Sequence, residues 1–133
     1  MARIEWMHVC DLAYFDRHAR MCMVGLTTHL VVPALPLRMR QIMLVAHVVD
    51  LEPGGRVDIS VAVSTPDGQW ISPGLSDDVH IEVASEYVLV TLRDLPLKDE
   101  GTYRLALQLG PQQFITADVP VFVMPTAQAA QLH

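Results

Sequence analysis

Two-residue alternation of apolar and polar side chains is the feature that most limits what this 133-residue chain can fold into. Val57, Ile59, Val61 and Val63 alternate with Asp58, Ser60, Ala62 and Ser64. Tyr103, Leu105, Leu107 and Leu109 alternate with Thr102, Arg104, Ala106 and Gln108, and Val88, Val90 and Leu92 repeat the pattern. Ile115, Ala117, Val119, Val121 and Val123 do so again, with Pro120 marking an edge or a bulge. A period of two gives a strand one dry and one wet face. No segment sustains the 3.6-residue period of a helix. Thr126 to Leu132 has helix-favouring composition but is too short to hold a helix alone.

Turn signals divide the chain at short intervals: Asp16 to Arg20, Pro33 and Pro36, Glu52-Pro-Gly-Gly55, Pro66-Asp-Gly68, Ser72-Pro-Gly74, Asp94-Leu-Pro96 and Gly110-Pro111. Neither a repeat nor a linker interrupts them. The expected organisation is one all-β domain over residues 1–124 with a tail over 125–133. Apolar residues make up 51% of the chain and charged ones 18%, enough to bury a core without metals.

Two segments depart from simple alternation. Trp6 to Tyr14 and Met21 to Val32 read as strands joined by the Asp16 turn. A turn centred on Asp16 places Cys10 and Leu12 on one inner face with Cys22, Val24 and Leu26. Cys10 and Cys22 then lie opposite each other; two buried free thiols and an occasional bridge both remain open. Gln41 to Val49 is apolar on both faces through Ile42-Met-Leu-Val-Ala46. Such a strand is either central and covered on both sides or half of a subunit interface. Small sandwiches wet their outer faces, which favours the interface.

The most specific local pattern is Asp99-Glu-Gly101-Thr-Tyr103 at the start of a late strand. It resembles the tyrosine corner of immunoglobulin-like sandwiches, whose hydroxyl bonds back to upstream backbone. Asp99, Gly101 and Tyr103 are the corner residues on that reading. Leu105 stands where antibody-type domains carry a cysteine, so no inter-sheet disulfide is expected. The fold expected is an immunoglobulin-like antiparallel β-sandwich of seven to nine strands.

Cys10-Asp11-Leu-Ala, Met23-Val-Gly25-Leu, Pro66-Asp-Gly68, Asp94-Leu-Pro96 and Gly101-Thr-Tyr103-Arg104 run through nearly the whole length. With them the chain resembles a bacterial family of small proteins of about this size and unknown function. The resemblance implies a bacterial source and a β-sandwich, and it brings no catalytic residues.

Charge and motifs narrow function by elimination. Nine basic against fifteen acidic residues give a net charge of −6. Nucleic-acid binding needs a basic stripe, and Arg38 with Arg40 does not make one. The longest apolar run, Ile42 to Val49, is too short to cross a bilayer and contains His47. No secretory signal is read at the N-terminus, and the expected compartment is the cytoplasm. A nucleophile elbow and a phosphate loop are both missing, so no catalytic residue, cofactor or metal is assigned. The nearest metal pattern is Asp77-Asp78-Val-His80, with His8, Asp11 and His18 as a looser set. Asp78 and His80 would serve the weakest alternative, a metal-dependent hydrolase.

The leading expectation is a non-enzymatic protein–protein interaction module, a homo-oligomer or one subunit of a larger bacterial assembly. Seven methionines and the doubly apolar strand support it, because methionine surfaces adapt to partners. The expected interface residues are Met39, Met43, Ala46 and Val48, with Trp6, His8 and Tyr14 second. The alternative is a small-ligand or carbohydrate-binding module using Trp70 with Tyr87, or Trp6 with Tyr14, as a ring platform.

Overall fold

A computed structural model describes residues 2–50, 58–71, 79–84, 86–111 and 113–125. All regular structure among them is β: β1 (Arg3–Phe15), β2 (Met21–Leu26), β3 (Leu30–Val32), β4 (Leu37–Val49), β5 (Ile59–Ser64), β6 (Trp70–Ile71), β7 (Val79–Ala84), β8 (Tyr87–Leu97), β9 (Gly101–Leu109) and β10 (Gln113–Val123). The strands form two five-stranded sheets, ordered β2-β1-β4-β8-β7 and β3-β10-β9-β5-β6. All neighbours run antiparallel except β3, which lies parallel to β10. The turns at Glu52 to Gly55 and Ser72 to Gly74, Asp77 and Asp78, and the tail beyond Pro125 lie outside the described residues.

The alternation read in the sequence sets what each sheet turns inward. Val61 and Ile115 flank Leu107, while Val63 and Ala117 flank Leu105. On the other sheet Leu44 lies between Val9 and Val90. These side chains meet in one core between the sheets, with Ile42, Ala46, Val48, Val88, Leu92, Val119 and Val121.

Tyr103 closes the lower turn from within that core. Its hydroxyl accepts the amide N–H of Lys98 at 3.1 Å and of Asp99 at 3.4 Å, and it donates to the Asp99 carbonyl at 3.1 Å. Gly101 beside it has φ +131°, and a Cβ there would stand 2.8 Å from Cβ of Pro66. The close approach joins the Pro66-Asp-Gly68 turn to the corner and leaves no room for a larger residue.

Strand β4 is central and covered on both sides. From Ile42 onward its even residues enter the main core, while Met43 and Val45 form a second cluster with Cys10, Ala13 and Leu89 on the outer face. Trp6, Phe15, Met21, Met23 and Tyr87 pack over that cluster. The expectation that this strand is a subunit interface is therefore corrected. Ala46 and Val48 lie between the sheets, Met43 is only 6% exposed, and Met39 is half-buried against the main core. The cover follows a register shift in β1. A register shift between Ile4 and Trp6 turns Ile4 inward and Trp6 outward. Cys10, Ala13 and Phe15 lie together on the outer face.

The hairpin register also differs from the expected one. The Asp16 carboxylate accepts the amide N–H groups of His18 and Arg20, both at 2.9 Å, and Ala19 takes φ 60°. The turn thus centres beyond Asp16, and Phe15 pairs with Met21. Cys10 then faces Leu26 and Cys22 faces Tyr14, so the two thiols are free and apart. Leu12, Val24 and Leu26, expected on a buried inner face, are exposed.

Candidate functional site

Three surface features gather chemically distinctive side chains. The first stands on the outer face of the β1–β4–β8 sheet, where His47 of β4 pairs with Trp6 of β1 and Tyr87 of β8. The imidazole stacks on the Trp6 ring at 5.5 Å and 18°, with Tyr87 at 5.3 Å and His8 beyond Trp6 at 4.9 Å. Its Nδ1 meets Oε2 of Glu5 at 2.9 Å and its Nε2 meets Oε2 of Glu86 at 3.1 Å. Hydrogen bonding to Glu86, and then to Glu5, raises the His47 pKa against the opposing effect of burial. When the ring is protonated both N–H groups are donated to carboxylates, and no nitrogen is free to act as base, nucleophile or metal ligand. The cluster is a clamp that ties three strands together.

The second feature is the β1–β2 hairpin. In the hairpin, alternation sets Ala13, Phe15, Met21 and Met23 in the outer cluster. Leu12, Tyr14 and Val24 point the other way and are 44%, 46% and 51% exposed. Leu26 at the end of β2 is 60% exposed. β2 itself, Met-Cys-Met-Val-Gly-Leu, is an edge strand without charge or proline. Gly25 has φ +71°, and the Asp11 carboxylate lies where its Cβ would be.

The remaining edges are protected differently. β7 carries exposed His80 and Glu82, β3 is three residues long and followed by Pro33, and β6 is two residues long. Charges, proline and short length are the usual ways in which an edge is kept from pairing.

The third feature is a shallow groove of about 350 Å³ on the outer face of the other sheet. Trp70 and Phe114, both more than half exposed, stand with Ser60, Ala62, Ala106 and Gln108 around it.

The expected ring platforms do not form. Trp70 and Tyr87 belong to different sheets, and Trp6 stacks on His47, with Tyr14 toward the far end of β1. His8, Asp11 and His18 are not brought together: no group of three or more metal-ligating side chains occurs among the described residues. Of the second interface set, Tyr14 lies on the exposed hairpin, while Trp6 and His8 belong to the His47 cluster. Glu5, Glu86, Phe114 and the edge of β2 were missed from sequence. Only β2 carried a signal, six consecutive residues without charge.

The strand order β1-β4-β8-β7 packed on β10-β9-β5-β6, with a tyrosine closing the start of β9, defines an immunoglobulin-like β-sandwich to which β2 adds an extra edge. The chain belongs to a family of unknown function, DUF6941, whose pattern matches residues 5–122. Comparison with curated proteins finds no match. Among solved structures, the M1 domain from titin is similar at 14% identity, covering 71% of this chain and 86% of that one with a TM-score of 0.36. The Ig1 domain of mouse SynCAM 2 is 20% identical, covering 73% and 93% with a TM-score of 0.34.

Proposed function

We propose that this protein is a non-enzymatic protein–protein interaction module whose contact element is the β1–β2 hairpin. It acts in a homo-oligomer or as one subunit of a larger assembly. The observation that carries this reading is the uncharged edge strand β2, flanked by exposed Leu12, Tyr14 and Val24. A free edge offers unpaired backbone N–H and C=O groups to an incoming strand, and the adjoining apolar side chains supply burial. Two reactive groups are also engaged: His47 has a carboxylate against each ring nitrogen, and burial raises the Cys10 thiol pKa. In an amide NMR titration with an uncharged extended peptide, shifts should concentrate on β2 and its neighbours in β1. Shifts confined to β7, or none at all from a chain that is monomeric in solution, would remove the reading.

The groove between Trp70 and Phe114 favours a second reading, binding of a small neutral ligand. Two aromatic faces beside Gln108 and Ser60 suit a molecule with an apolar face and hydroxyl edges, such as a sugar. Tryptophan fluorescence should respond to a sugar panel in the native protein and not in Trp70→Ala. A silent panel would sink it.

A further inference from the structure

The partner of β2 follows from its own composition. On the reading of the hairpin as a contact element, we infer that β2 pairs antiparallel with β2 of a second copy, joining the two β2-edged sheets across a two-fold axis. Three observations point to a second copy.

First, Met21 to Leu26 carries no charge, so antiparallel self-pairing sets uncharged residues against uncharged ones. A two-fold axis normal to the sheet keeps like faces together. The exposed Leu12, Tyr14 and Val24 of both copies then merge into one apolar strip.

Second, the pairing closes. The other three sheet edges are short, proline-flanked or charged, so joining two copies through β2 consumes the one uncharged, proline-free edge longer than three residues among the described residues. Isologous pairing of this kind ends at a dimer, whereas a heterologous contact leaves a further edge to propagate.

Third, charge at the two ends of the hairpin is complementary. The tip carries Arg17 and Arg20, of which Arg20 is bound to Asp16 at 2.8 Å, leaving a net positive end. At the other end of β2 the exposed Asp11 carboxylate lies against Gly25. Antiparallel pairing brings the tip of each hairpin toward the Asp11 end of the other. Parallel pairing would align like with like.

Light scattering after size exclusion tests this on the intact chain. The wild type is expected at twice the chain mass of 14.8 kDa, and Val24→Lys as a monomer with an unchanged β circular-dichroism spectrum. Glu82→Lys on the opposite edge should remain a dimer. Arg17→Glu should weaken the dimer roughly tenfold or more, and adding Asp11→Arg should restore it. A dimer that survives Val24→Lys, or a charge swap that restores nothing, overturns the antiparallel β2 pairing. A wild-type monomer at every concentration overturns it too. If that monomer still binds an uncharged strand peptide at β2, only self-pairing falls; if it binds none, the interaction reading falls as well.

Discussion

Tyr103 and His47 each hold several partners with one side chain, and they differ in how far those partners lie along the chain. The Tyr103 hydroxyl serves three backbone groups only four or five residues upstream. Its role was legible in the sequence because Asp-x-Gly-x-Tyr places turn and ring within one short segment. Tyr103→Phe leaves two amides and a carbonyl without that partner in a part-buried turn, and should destabilise the fold by about 1–3 kcal/mol. Urea unfolding would measure the loss. The His47 clamp was invisible in the sequence because Glu5 lies 42 residues away and reaches the ring only through strand register. A raised pKa means that folding favours the charged ring. The clamp's stabilisation is full below the ordinary histidine value and fades as pH rises through the raised one. Thermal unfolding in a pH series should show stability falling through that window, and His47→Gln should flatten the step.

At the scale of the element, β4 and the hairpin exchange the roles that composition suggests. A strand apolar on both faces was legible in Ile42 to Val49, but not what covers its outer face. The cover depends on the register shift between Ile4 and Trp6, which turns Trp6 to the face opposite Ile4. Period-two reading carries no sign of such a reversal. The same limit explains the misplaced cysteines, since a turn centre displaced from Asp16 slides the whole of β2 along β1. Met43→Asp consequently tests burial. The side chain is nearly inaccessible, and its sulfur accepts the Ala13 amide N–H at 3.2 Å. An unpaired carboxylate there should unfold the protein instead of dissociating it into folded monomers. Circular dichroism at ambient temperature distinguishes the two, and a folded Met43→Asp chain would contradict the covered-strand account.

For the whole molecule, the sequence made the layer architecture legible because alternation and turn spacing are local, and two packed sheets are the solution they share. The surface was less legible. Trp70 and Phe114 meet around one groove through pairing of β6 with β5, β5 with β9 and β9 with β10, while sequence reasoning coupled Trp70 to a ring on the other sheet. The hairpin edge became distinctive only by comparison with β3, β6 and β7, each limited by length, proline or charge. An edge strand left bare among protected ones is the central structural claim, and function follows from what fills it. Hydrogen exchange across the sheet edges measures this directly, since protection reports whether backbone amides are paired. The account predicts slow exchange in β2, approaching that of the central strands and rising with protein concentration, while β7 exchanges fast throughout. Fast exchange in β2 at every concentration, matching β7, would contradict it.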